Sequence, residues 1–115
     1  MEDELATIRD ADDRAQAYLA GIGDRPVYPP QSAIDAPALL AEGLPDRGLG
    51  ATSTIALMDR VGSAAVVESN GARYFGFVTG ATLPVAAAAD RLALSWDNSA
   101  STEMGSPGTA AFERV

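Results

Sequence analysis

The chain has 115 residues, a length that suits one small domain or part of a larger one. Hydrophobic residues make up 47%, but much of that share is Ala and the aromatics are only 6%, so the core available to such a chain is thin. Sixteen acids against eight bases give a net charge of −8 and a pI near 4.2, a surface that repels phosphate backbones and anionic membranes and argues against a nucleic-acid partner.

Cysteine is missing, which excludes a disulfide framework and a thiolate metal site. All eight basic residues are Arg, so the chain has neither Lys nor His. Without Lys there is no side-chain amine for a Schiff base. Without His there is no side chain whose ordinary pKa lies near neutrality. Ser, Thr, Tyr, Arg and carboxylates remain, and most covalent and acid–base mechanisms lie beyond this chain alone. The acidic opening "MEDELATIRD" is not a signal peptide, and the longest apolar run, "LPVAAAA", is too short for a membrane span. These features lead to the expectation of a cytoplasmic protein that does not enter a membrane.

Residues 2–20 predict an amphipathic helix. Leu5, Ile8, Ala11, Ala15, Tyr18 and Leu19 form one stripe at i, i+3, i+4 spacing, suited to packing on this chain or another. Acids crowd its first turn, and Gly21 and Gly23 follow its end. "DRPVYPP" at 24–30 is extended, because three prolines remove donors and bias the residues before them. Asp35 is placed to cap a short helix over 36–42 that tolerates Pro37 in its first turn. "EGLPDRGLG" at 42–50 reads as loop. A helix starting at Thr52 or Ser53 and running to Val61 has Ile55, Leu57, Met58 and Val61 on its apolar face, with Gly62 as its stop. "AAVVES" at 64–69 fits a short strand or a helix, and "NG" at 70–71 marks a turn.

The main helix is predicted over 83–96, with Pro84 harmless in its first turn. Ser106 and Pro107 then form a helix start whose helix reaches Val115 after two turns, which reads as the beginning of a truncated helix. Residues 1–115 therefore read as a single partial unit, mainly α, with long loops.

The stretch "ARYFGFVTGATLPVAAAADRLALSWDNSA" at 72–100 holds two of the three Phe, one of the three Tyr and the only Trp. Tyr74, Phe75 and Phe77 offer flat apolar surfaces, while Gly76 and Gly80 permit close backbone approach or a positive φ, and Thr79 adds a hydroxyl. Such a loop suits the wall of a small-molecule pocket. By residues alone it equally suits a packed loop whose rings fill a core. Other chemistries find little support. "EDE" and "DADD" are a solvated helix start, and "GLGATST" lacks the strand and the Lys of a phosphate loop.

"ARYFGFVTGATLP", then "AADRLALSWDNSA", then "SPGTAAFE" resembles, in order, the N-terminal segment of the group II pyridoxal-phosphate-dependent decarboxylases, the aromatic-amino-acid and glutamate decarboxylase superfamily. Upstream, "VYPP", "LP" and "MDRVGS" fall where that family has similar segments, so the resemblance covers roughly residues 25–115. It rests on the ordered series, since no one of these motifs is diagnostic.

The resemblance implies the N-terminal helical arm of a fold-type I enzyme, without its α/β large domain. Such an arm lies across the partner subunit of a homodimer and lends a loop to the substrate side of the active site. Carried over residue by residue, Phe77, Thr79 and Gly80 are implied on the substrate side. Phe75 and Gly80 support that loop, and Asn98 lies near the dimer-related active site.

The cofactor of the complete enzyme is pyridoxal 5'-phosphate, held by a large domain that this chain lacks, and the substrate is an amino acid. The chain departs from the family at Ala81, at Arg91 where bacterial members often have Trp, at Ser99 and at Gly108. The expected function is the N-terminal part of an amino-acid decarboxylase, inactive alone, whose partners are the large domain and the homodimer mate. The alternatives are a small acidic helical interaction module that docks on a full-length decarboxylase or another partner, and an unrelated acidic helical domain.

Overall fold

The computed structural model describes residues 2–43, 45–98 and 102–115. Two sequence readings, at Leu44 and Ser99, lie outside the described residues. The architecture is mainly helical, with no strand among the described residues. The described chain forms two compact units, Met1–Ala81 and Thr82–Val115.

In the first unit, α1 spans Glu2–Ala20 and opens on Glu2, Asp3 and Glu4, which face the positive end of its dipole. It closes where the Gly21 N–H donates to the Ala17 carbonyl at 3.1 Å, and a short 3₁₀ turn, Ile22–Asp24, follows. α2 is the single turn Gln31–Asp35, entered from Pro30 in extended conformation. A 3₁₀ turn over Ala36–Leu40 follows it, in place of the helix expected over 36–42. Pro37 explains the change, because without an N–H it cannot continue the i→i−4 ladder, and the chain tightens into i→i+3 bonding. Asp35 caps nothing; its Oδ1 accepts from Gln31 Nε2 at 2.8 Å.

α3 runs Ala51–Ala65, longer than predicted. It begins after Gly50, whose φ of +82° is a conformation glycine adopts without strain. Gly62 does not end it. A glycine inside a helix costs only about 1 kcal/mol, and here the Ser63 hydroxyl donates to Asp59 Oδ1 at 2.6 Å on the same face. The helix therefore takes Ala64 and Ala65, and the rest of "AAVVES" is neither strand nor helix.

α1 packs on α3, and so do α2 and the turn after it. The predicted stripe of α1 is covered only in part: Ala11 and Tyr18 are half-buried, while Leu5, Ile8, Ala15 and Leu19 stay exposed. The half-buried positions of α1 include Thr7, Asp10, Ala11, Arg14 and Tyr18, a register offset toward its polar side. Ion pairing brings the two helices together. Arg14 Nε lies 2.9 Å from Asp10 Oδ2, and its Nη1 lies 3.0 Å from Asp59 Oδ2 on α3.

The second unit carries α4, Pro84–Trp96, with Leu83 as its N-cap residue and a left-handed Asp97 at its end. α5, Pro107–Phe112, begins at Ser106 as read from sequence but stops short of Val115. The Ser106 side chain makes no capping bond, although the residue is buried. Leu83, Val85, Leu92, Leu94 and Trp96 are all exposed, so α4 presents apolar side chains without covering them. Among the described residues the buried ones are Pro29, Glu68 and Ser106, and no Ala, Val, Ile, Leu, Met, Phe, Tyr or Trp is buried.

Candidate functional site

The aromatic loop at 74–80 is built on a polar base. Arg73 Nη2 donates to the Gly23 carbonyl at 2.9 Å and also to the Arg25 carbonyl. The Arg25 guanidinium lies 4.4 Å from the centroid of the Tyr18 ring and donates to the Ser63 carbonyl, which ties the loop's anchor to the ends of α1 and α3. The Glu68 N–H donates to the Val27 carbonyl at 2.9 Å. Segments 23–27 and 68–73 are thus clamped together by the Glu68–Val27 backbone bond and by Arg73, while Arg25 ties the first of them to α1 and α3.

Above this base the chain folds back on itself. Tyr74 is half-buried, and its ring lies over Gly76. A Cβ at Gly76 would sit 2.7 Å from Tyr74 Oη and 2.8 Å from Cζ, so the close approach needs glycine. Thr79 closes the tip: its N–H and its hydroxyl both donate to the Gly76 carbonyl, at 3.3 and 3.2 Å. The two residues between them, Phe77 and Val78, have φ of +53° and +57°. Positive φ at both central positions is the pattern of a type I′ turn, which normally recruits Gly or Asn. Here it holds a ring and a β-branched side chain, each at a cost of roughly 1–2 kcal/mol. Phe77 is 94% exposed and Val78 106%, so neither gains burial in return.

The expected site residues are therefore distributed as follows. Phe77 and Thr79 share the turn, with Phe77 at its solvent tip and the Thr79 hydroxyl turned inward onto Gly76. Phe75, read as a support of the loop, is 92% exposed in this chain. Gly80 has no left-handed φ and no atom near its would-be Cβ, so the conformational freedom expected of it is used at Gly76 as close approach and at Phe77 and Val78 as positive φ. The loop does not fill a core, which removes the packed-loop reading of its rings. Asn98 lies in the second unit, where its Nδ2 donates to the Trp96 carbonyl.

Two hollows flank the α1–α3 contact. The apolar one, about 670 Å³, is lined by residues that include Ala11, Ala15, Leu19, Met58, Gly62 and Val66. The polar one, about 470 Å³, is lined by Asp10, Asp13, Arg14, Arg25, Asp59 and Ser63, among others. In the latter, hydrogen bonds from Ser63 and then Arg14 hold the Asp59 carboxyl below the ordinary aspartate value. Hydrogen bonds to Asp10 and Asp59 hold the Arg14 guanidinium above its own. Sequence reasoning missed this pair because 45 residues separate Arg14 from Asp59; only the local i, i+4 spacings Asp10–Arg14 and Asp59–Ser63 hinted at it.

Among the described residues no group of three His, Cys, Asp or Glu is arranged to hold a metal ion, and no helix is long and apolar enough to cross a membrane. No family profile, curated protein or solved structure matches this chain.

Proposed function

We propose that the chain is the N-terminal helical arm of a pyridoxal-phosphate-dependent amino-acid decarboxylase, supplying dimer contacts and a substrate-side loop to that enzyme's large domain. The observation that carries this reading is the loop at 76–79, an exposed and backbone-strained aromatic tip pinned from below by Arg73. Strain of this kind persists where a surrounding structure over-determines it, and it concentrates at binding sites. The ordered resemblance of residues 25–115 to the decarboxylase arm supports the same reading, as do the uncovered apolar side chains of α1 and α4.

The residues of this chain do not by themselves fit pyridoxal 5'-phosphate. The cofactor needs a lysine amine and a ring-stacking partner, and the eight cations here are all Arg with no His beside them. In this reading the chain's own share is to bind and enclose: Phe77 covers the amino-acid side chain and the turn closed by Thr79 sets its position. The test is fusion of a bacterial group II decarboxylase large domain after Val115, followed by a decarboxylation assay. Activity well above that of the large domain alone supports the arm. A fusion that folds and takes up the cofactor, yet is no more active than the large domain, contradicts it.

A second reading, an acidic helical interaction module, draws on the apolar hollow between α1 and α3. The isolated chain distinguishes the two. A monodisperse monomer with a sharp unfolding transition is expected of a self-sufficient domain, and association or a broad melt is expected of an arm.

A further inference from the structure

The turn that carries "NG" sits between the Glu68–Val27 bond and the Arg73–Gly23 bond of the loop base. Residues 69–72 form a bend without regular secondary structure, with Asn70 exposed. The Gly71 carbonyl accepts from the Tyr74 N–H at 3.2 Å, and among the described residues the Gly71 N–H donates to no backbone oxygen. The Glu68 side chain folds back over Gly71. It is 1% exposed, and among the described residues neither of its carboxylate oxygens has a hydrogen-bond partner. A Cβ at Gly71 would overlap that carboxylate, 2.6 Å from Cδ and 2.8 Å from Oε1, so a side chain here would have to displace Glu68.

These are the conditions under which an asparagine side chain reacts with its own backbone. An Asn followed by a residue without Cβ leaves the next amide nitrogen open to the side-chain carbonyl carbon. Asn is for this reason among the thermolabile residues. We infer that Asn70–Gly71 is a spontaneous modification site whose conversion to aspartyl and isoaspartyl forms releases the aromatic loop from its base.

The step balances without a co-reactant other than water. The Gly71 nitrogen gives up its proton and bonds to Asn70 Cγ. The Cγ–Nδ2 bond breaks, and the amide nitrogen leaves as ammonia, carrying the proton. Water then opens the five-membered imide. Cleavage of the new N–Cγ bond gives Asp at position 70. Cleavage on the other side, between the nitrogen and the backbone carbonyl carbon, gives the isoaspartyl form, whose main chain runs through Cβ and Cγ.

Either product disturbs the clamp. Each adds a carboxylate two residues from the buried Glu68 side chain, whose own oxygens have no hydrogen-bond partner among the described residues. The isoaspartyl form also lengthens the main chain between the Glu68–Val27 tie and the Arg73 latch, the two contacts that hold segment 68–73 on segment 23–27.

The experiment ages the purified chain in a mildly alkaline buffer and digests it after arginine. It then follows the amide-to-acid mass gain in the peptide of residues 61–73 against that of residues 92–114. The second peptide holds Asn98, the chain's other asparagine. Expected is conversion several-fold faster at Asn70 than at Asn98, in the folded chain as in the urea-unfolded chain, with isoaspartate in the product. Asn70→Ser is expected to remove the signal from the first peptide. Brief trypsin treatment of intact, aged chain is expected to cut after Arg73 faster than in fresh chain, and Asn70→Asp is expected to lie between the two. Folded-state conversion at Asn70 no faster than at Asn98 overturns the site. Unchanged cutting after Arg73 in fully converted chain overturns the release.

Discussion

Glu68→Met removes the least comfortable group in the molecule. The Glu68 side chain is 1% exposed and both carboxylate oxygens are buried without a partner among the described residues. Leaving a buried polar group unsatisfied costs about 1–3 kcal/mol, and more when it is charged. Methionine keeps the unbranched length of the side chain and supplies apolar atoms to the same space, so the penalty is removed while volume is nearly conserved. The first unit is therefore expected to gain about 1–3 kcal/mol of unfolding free energy from the relieved penalty alone. In a domain of 60–100 residues each kcal/mol raises Tm by roughly 4–8 °C. Urea unfolding followed by circular dichroism checks this: the midpoint rises and the slope stays fixed. Glu68→Gln, which loses the charge but keeps polar atoms, is expected to fall between wild type and Glu68→Met. A Glu68→Met chain less stable than wild type would show that the carboxylate is paired in solution and that the loop base holds no unsatisfied group.

Other perturbations probe the surrounding contacts. Gly71→Ala drives a methyl group into the Glu68 carboxylate and is expected to cost about 1–3 kcal/mol; adding Glu68→Ala is expected to restore most of the loss, read as a coupling energy in a double-mutant cycle. Arg73→Ala removes two bonds from an exposed guanidinium to backbone carbonyls. It is expected to cost about 1 kcal/mol and to speed proteolysis within 74–80. Val78→Gly relieves roughly 1–2 kcal/mol of left-handed strain at a fully exposed position, set against the roughly 0.4–1 kcal/mol entropic cost of a new glycine, and so stabilises by up to about 1.6 kcal/mol.

Arg14→Gln is expected to loosen α1 from α3, with a difference from wild type that shrinks as salt is added. Because the folded-state pKa of Asp59 is depressed, its contribution to stability is complete above the ordinary aspartate value and is lost as pH falls through the folded value. Acid titration of wild type is expected to show that loss and Asp59→Asn to lack it.

How much of this was legible in the sequence depends on the range of each interaction. α1 and α4 could be read because their signals are local: acids and glycines at the ends of α1, and Pro84 within the first turn of α4. Gly62 predicts an end to α3 there, but the alanines after it favour helix and carry it to Ala65. Pro37 gave the right element a different kind of turn. The apolar stripe of α1 was real as a pattern, but the pattern does not say what meets it. Arg14, pairing across 45 residues, set the register instead. At the loop, composition pointed to Gly76 and Gly80 as the flexible positions, yet the positive φ values fall on Phe77 and Val78, which no propensity rule selects. Arg73 was legible only as part of "RYFGFV"; its two carbonyl partners lie about fifty residues away.

Steady-state kinetics of the fused decarboxylase, comparing Phe77→Ala with Leu49→Ala, tests the substrate-side role most directly. Both side chains are exposed in the chain described here, and only Phe77 belongs to the strained turn. The expected result is a kcat/KM for Phe77→Ala lowered by about tenfold or more, the loss of at least about 1.4 kcal/mol of transition-state binding, with Leu49→Ala close to the unsubstituted fusion. Equal kinetics for the two variants would contradict the assignment of the 76–79 turn to a substrate pocket.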